Sequence, residues 1–255
     1  MVQKIKRYRF LFEELVKRDF TRKYKRTTLG VIWSALSPLM TLGVMALVFT
    51  QFFGRSTPHY VVYLFCGNIV FGFFRESTSA GMTVLWDNAG IFSKVNVPKY
   101  MFLFSKNVST LLTFGINIVI LFVFVLVDGL AFTWKYFLLL YPVLFLSILN
   151  LGMGFILSAL FLRFRDLQYL YGVFTNLLMY VSAIFYSVDS YPEEIQKLFL
   201  INPVYDCIKY FRTIIIDDAI PSLELHVIIF AYAIIAFGIG ALVYKTQNYK
   251  FLYYI

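Results

Sequence analysis

The chain has 255 residues, 60% of them hydrophobic and 20% aromatic, with a mean hydropathy of +0.74. A soluble domain is about half apolar, so this composition excludes an ordinary soluble protein and describes one integral membrane domain, 1–255. The net charge of +9 is read as cations held on the cytoplasmic side beside anionic lipid, with membrane lipid and not nucleic acid as the partner.

Cys66, Cys207, His59 and His226 stand at no metal-ligand spacing, so no metal is expected. No GxxxxGK[ST] loop is present, and the chain is expected to hydrolyse no nucleotide itself. The N-terminal tail carries too much charge over too great a length for a cleavable signal peptide.

Residues 3–18 are predicted as an amphipathic helix. Ile5, Tyr8, Leu11, Phe12, Leu15 and Val16 share one arc, and Lys6, Arg7, Arg9, Glu13, Glu14 and Lys17 lie on or beside the other. The pattern breaks at Asp19, Arg22 and Lys23, where the helix is expected to bend or end. A basic helix of this kind suits a membrane interface or the surface of another protein. Residues 1–28 are assigned to this region.

At Leu29 the basic block gives way to an apolar run that lasts to Phe53 without a charge. Lys and Arg cost several kcal/mol each in hydrocarbon, and roughly 20 apolar residues span a bilayer. The junction therefore sits at a membrane surface. Further uncharged runs cover 56–74, 107–127, 136–162, 167–188 and 225–244, giving six predicted transmembrane helices. Lys and Arg divide eighteen to five between alternate segments, which places both termini in the cytoplasm.

Two connections are long. The loop 75–106 is cytoplasmic. The external connection 189–224 is apolar enough to form two short helices that dip back into the outer leaflet, a re-entrant helical hairpin between spans five and six, or a cap lying on the surface. Ser190 and Glu193 have capping-box spacing, with Pro192 near the first helical position, and Asn202-Pro203 starts the second helix.

These residues resemble a family. Arg18-Asp19-Phe20, Lys23-Tyr24-Lys25, Thr28-Leu29-Gly30, Trp33 and Pro38 are similar to the signature of the membrane subunit of polysaccharide ABC exporters, the ABC type-2 permeases. Asn88–Lys99 (NAGIFSKVNVPK) resembles the segment that couples to the ATPase. Arg165-Asp166-Leu167 resembles the motif between spans four and five, and Asn202-Pro203 with Arg212 the external region. Lys99-Tyr100 and the C-terminal KTQNYKFLYYI depart from the usual pattern. The resemblance implies an all-α homodimer with two copies of a separate ATPase that binds the ATP and magnesium. It implies export of a lipid-linked polysaccharide (O-antigen, with teichoic acid or capsule as alternatives) across the bacterial inner membrane.

The candidate ATPase-coupling residues are Ile91, Phe92, Lys94, Val95, Asn96, Val97, Pro98 and Lys99, a short segment suited to a cleft on a partner or to the membrane surface. Arg18, Asp19, Arg22, Tyr24, Leu29 and Gly30 are candidates for cytoplasmic substrate access, with lipid headgroups as the alternative ligand. Gly30 suits a tight turn into the first span.

Sugars stack on aromatic rings and bond hydroxyls. Trp33, Ser37 and Thr41, on one face at i, i+4 and i+8, are therefore candidate channel-lining residues, as are Tyr171, Phe174, Tyr180, Phe185 and Tyr186 in the fifth span. Aromatic residues also gather at membrane interfaces. No span carries a central acidic residue, which argues against proton coupling, and Asn117, Asn150 and Gly154-xxx-Ser158 are read as interhelical contacts. A small-molecule exporter of the same fold remains open. A membrane-bound transferase would need clustered carboxylates, and no DxD is present.

Overall fold

The computed structural model describes residues 2–24, 27, 30–53, 57–92, 94, 97–249 and 251. Among these residues the chain forms ten α-helices and no strand. Four stretches are long and apolar enough to cross a membrane: Trp33–Phe52, Tyr100–Val127, Trp134–Arg163 and Leu223–Gln247. The protein is an all-helical, multi-pass membrane protein.

The first helix, α1 (Val2–Tyr24), does not stop at Asp19. Charges interrupt an apolar stripe without interrupting backbone hydrogen bonds, and these charges have partners. Arg18 donates twice to Asp19 Oδ1, at 3.0 and 2.7 Å, and Lys23 Nζ donates to Glu76 Oε1 at 2.7 Å. The apolar arc packs inside the chain. Leu15 is buried with Val84, Leu85, Phe92 and Phe102, and Tyr8, Leu11 and Phe12 border the same cluster. The face that the sequence offers to a membrane surface is covered here by protein.

Gly30 opens a short 3-10 turn with φ +54°, an angle at which side chains with a Cβ are strained. The helix α2 (Trp33–Phe53) follows, with Pro38 inside it. The next helix, α3 (Tyr60–Asp87), has 28 residues and is about 42 Å long. It passes straight through Arg75 and Glu76, where the uncharged run ends. Charge marks the edge of hydrocarbon, not the end of a helix, so the expected loop 75–106 shrinks to 88–99. α3 packs on α2 and on five helices still to come, and Val62, Leu64, Phe65, Cys66, Val70 and Leu85 have no exposed surface. A helix so enclosed needs no lipid-facing apolar coat, which is why its composition falls short of a membrane span.

After the four-residue α4 (Ala89–Phe92), the helix α5 (Tyr100–Val127) returns along α3. A 3-10 turn at Trp134–Leu139 leads into α6 (Leu140–Arg163). The last helix, α10 (Leu223–Gln247), lies against α6 along its length. Their backbones touch at Gly152 and Gly240: a Cβ at Gly152 would stand 2.4 Å from the carbonyl carbon of Ala236. Gly154 faces Gly81 of α3, where a Cβ on Gly81 would lie 3.1 Å from the Gly154 Cα.

The fifth apolar run becomes α7 (Leu167–Val181), only 15 residues long and about 22 Å. It ends well before residue 188 because the chain turns at Ala183, φ +48°, and side chains from elsewhere take the carbonyls that the turn frees. Arg212 donates to the carbonyls of Ala183 (2.9 Å) and Ile184 (3.0 Å). Tyr60 and Tyr63 donate to those of Phe185 and Tyr186, each at 2.7 Å.

Two short helices then follow, α8 (Glu193–Phe199) and α9 (Pro203–Ile215). The expected Ser190–Glu193 capping box does not form. Pro192, with extended ψ of 148°, is the residue before α8, and no side chain caps it. Gln196 instead reaches back to the carbonyls of Asp189 and Tyr191. Asn202 does cap α9, its Oδ1 accepting from Val204 N at 3.0 Å. Val204, Ile208, Phe211 and Ile215 are buried against α3, α6 and α10, so protein covers the apolar face of α9, whereas Ile195 and Leu198 of α8 and Ile201 after it are exposed.

Candidate functional site

A polar groove runs between α1, α2, α3 and α5. It consists of three adjoining cavities, of about 320, 370 and 190 Å³, that share Glu76. At the end of the bundle that carries α1, the first is lined by Asp19, Arg22, Lys23, Asp87, Asn88 and Lys106. The middle cavity is bordered by Lys23, Thr27, Trp33, Ser34, Ser37 and Thr113. The third reaches Thr41, Asn68, Gly72, Thr110, Thr113 and Asn117.

Each wall follows from helical periodicity. Trp33, Ser37 and Thr41 are one face of α2, and the structure sets that face along the groove. Lys106, Thr110, Thr113 and Asn117 advance by four, three and four residues, which is one face of α5. This second stripe was readable in the sequence as polar groups at helical spacing in a helix otherwise rich in Leu, Ile and Phe.

The groove falls from charged to neutral along its length. Charged side chains surround the Lys23–Glu76 pair at the α1 end, and amides and hydroxyls follow. Thr41 and Thr110 return their hydroxyl protons to the carbonyls of Ser37 (3.0 Å) and Asn107 (2.8 Å), which leaves oxygen lone pairs for the groove. Asn117 Oδ1 is buried with no hydrogen-bond partner among the described residues, and so is Asp19 Oδ2. Asn117 therefore does not serve as a fully paired interhelical contact within this chain, and the same is true of Asn150, whose amide oxygen and nitrogen are both unpaired. Open polar surface at membrane depth is stable where it faces water, protein or a polar ligand.

The remaining candidates lie elsewhere. Asp19 and Arg22 line the groove, Arg18 is tied to Asp19 beside it, and Gly30 turns the chain into it. Leu29, Val95, Asn96 and the side chain of Tyr24 lie outside the described residues. In the fifth-span set, Tyr171 is buried and donates to Thr78 Oγ1 at 2.6 Å. Phe174 and Tyr180 are exposed on α7. Phe185 is buried, stacked on Phe49 of α2 at 4.6 Å, and Tyr186 donates to the Tyr180 carbonyl. Within one chain these five do not border the groove.

Of the coupling segment, Phe92 and Val97 are buried in the cluster around Leu15, Ile91 borders it, and Pro98 is half-buried, whereas Lys94 is exposed. Lys99 is turned inward: its Nζ donates to the Asn248 carbonyl at 2.8 Å and lies 5.7 and 5.5 Å from the ring centres of Phe92 and Phe251. Burial lowers its pKa. Lys99→Met is expected to cost about 1–2 kcal/mol through the lost hydrogen bond and ring contacts, seen as a lower unfolding midpoint with the C-terminal segment released first in hydrogen exchange. Arg165 lies over the Trp86 ring at 3.3 Å, which fixes the α6–α7 corner to the end of α3.

A multi-pass helical bundle with a graded polar groove has the build of a transport subunit. Residues 11–216 match the ABC-2 type transporter family, and the chain belongs to that family. An O-antigen export system permease protein (RfbA) of Myxococcus xanthus is 23% identical over 98% of this chain and 97% of its own length. A protein of the same name from Klebsiella pneumoniae is 26% identical over 95% of each. The polysialic acid transport protein KpsM of Escherichia coli is 22% identical over 92% of this chain and 93% of its own. As a member of this family, the chain is a transport permease and not an enzyme.

Proposed function

We propose that this chain is the permease of an ABC exporter that carries a lipid-linked polysaccharide, O-antigen for lipopolysaccharide, across the bacterial inner membrane. The observation that carries the reading is the groove itself. In a chain of this family, a lane of hydroxyls and amides at membrane depth is suited to a polymer of hydroxyl groups, because many weak contacts let a long chain slide. The cations at its α1 end suit the pyrophosphate of a lipid carrier. The named relatives export or transport sugar polymers, which favours a glycan over a small drug or lipid; teichoic acid and capsule remain the alternative cargoes.

In this reading α2, α3, α5, α6, α7 and α10 are the six spans and both termini are cytoplasmic. The α8–α9 hairpin is external and re-entrant, and α1 lies at the cytoplasmic interface. The subunit works as a homodimer over two copies of an ATPase, which hold the ATP and magnesium. The partner face includes the exposed Lys94. The second copy brings the exposed Phe174 and Tyr180 of α7 to a path shared between subunits.

Thr41→Leu combined with Asn117→Leu is expected to cut export more than tenfold, a change of about 1.4 kcal/mol or more in the barrier, while insertion and ATPase binding persist. Export is scored as polysaccharide at the cell surface against lipid-linked polysaccharide retained inside. Undiminished export by a stably inserted double variant would remove the groove from the path.

A further inference from the structure

A second cavity, of about 460 Å³, lies at the opposite end of the bundle, enclosed by the start of α3, the 186–191 loop and α9. Its size falls within the roughly 300–1,000 Å³ of small-molecule sites. Tyr186, Tyr191 and Tyr205 form its aromatic walls, Asp189 and Asp217 supply carboxylates, and Lys209 and Arg212 supply cations.

The Tyr191 ring is 42% exposed and held parallel to Phe199 at 6.5 Å. The hydroxyls of Tyr191 and Tyr205 make no hydrogen bond among the described residues. Asp189 accepts the Ser187 hydroxyl on Oδ2 at 2.5 Å, which leaves Oδ1 for a ligand. Arg212 is buried and donates only to backbone carbonyls. It has no carboxylate within ion-pair distance among the described residues, and Nη1 uses one of its two N–H groups.

This combination selects a chemistry. Two carboxylates against two cations leave no surplus positive charge to draw a phosphate. The walls are too polar for an acyl chain. Aromatic faces for C–H surfaces, with fixed donors and acceptors for hydroxyls, describe a site for a pyranose.

We propose that this cavity binds one sugar unit of the polysaccharide as it emerges; the proposal rests on the export reading above. Binding is weak, with Kd on the order of 1 mM, because a polymer held firmly at the exit would not be released. A unit held there opposes return of the chain into the membrane between steps.

The test uses the full-length chain with its ATPase, purified in detergent. The probe is the host's own surface polysaccharide, delipidated and cleaved to oligosaccharides, observed by saturation-transfer NMR. Saturation is expected to reach sugar-ring protons and to fall about tenfold or more in Tyr191→Ala and in Asp189→Asn, with unchanged unfolding midpoints. Absence of transfer to the probe, or equal transfer in wild type and both variants, overturns the proposal. Surface polysaccharide is scored in parallel in cells depleted of the chain. Its loss on depletion, without oligosaccharide binding to the purified complex, removes the cavity alone, and undiminished surface polysaccharide in depleted cells overturns the export reading and this inference with it.

Discussion

Gly152→Leu is expected to leave little folded protein in the membrane. α6 and α10 meet backbone to backbone. A Cβ at position 152 would lie 2.4 Å from the Ala236 carbonyl carbon and 2.5 Å from its oxygen and from Phe237 N, and a Cβ at Gly240 would lie 2.4 Å from the Gly152 oxygen. No rotamer relieves a clash between Cβ and backbone, so the two helices must separate along a contact that extends over most of their length. Without a hydrophobic drive between helices in lipid, close packing of this kind is a main source of their association. Ordinary overpacking costs about 1–3 kcal/mol; a forced separation of two backbones belongs with the exceptional losses above about 4 kcal/mol. Gly238→Leu, two residues from Gly240 and on the other side of α10, where a Cβ meets nothing within 4 Å, is the control. The yield of monodisperse protein in detergent and its unfolding midpoint are the readouts. Equal behaviour of the two variants would mean that the α6–α10 contact does not hold the fold.

Arg212→Lys is expected to be nearly as damaging as Arg212→Leu. The guanidinium lies 3.4 Å from the Tyr63 ring centre and bridges three carbonyls, those of Tyr63, Ala183 and Ile184. These belong to α3 and to the turn that ends α7, so the planar fork ties two segments that no backbone ladder connects. An ammonium is a compact donor on a flexible stem and cannot span them. Loss of the fork leaves buried carbonyls unpaired at about 1–3 kcal/mol each. A total of about 3 kcal/mol or more is expected, or roughly 6–12 °C in the unfolding midpoint for a chain of this size. Tyr63→Phe, which loses only the bond to the Tyr186 carbonyl, sets the scale for a single contact. If Arg212→Lys melts with the wild type, the turn is held by other contacts.

The candidate groove was half legible in the sequence. The stripe Trp33, Ser37, Thr41 stands out because polar residues at helical spacing are conspicuous in an apolar run. The opposing stripe Lys106, Thr110, Thr113, Asn117 also has helical spacing, yet its facing α2 across the groove is a matter of packing that no local pattern encodes. Glu76, which joins all three cavities, reads in sequence as the start of a loop. It lies instead inside a 28-residue helix and pairs with Lys23, which is 53 residues away in the chain. Tyr171 illustrates the converse: its type and position suit a channel wall, but Thr78 of α3 holds its hydroxyl in the core.

Composition and periodicity by themselves determined that the chain is helical and embedded in a membrane, and where its apolar segments lie, because bilayer thickness and backbone satisfaction constrain every spanning segment in the same way. They also determined the start of α9, since Asn202-Pro203 is a local signal that acts on the next turn. Tertiary structure decided how far α1 and α3 run past the charges that read as their ends, where Lys23 of α1 pairs with Glu76 of α3 across 53 residues of chain. It decided the early end of α7, where the freed carbonyls are taken by Arg212, Tyr60 and Tyr63. It also decided which glycines are indispensable, since a glycine's worth rests on the backbone that approaches it, and Gly152 meets Ala236 only when α6 and α10 are packed.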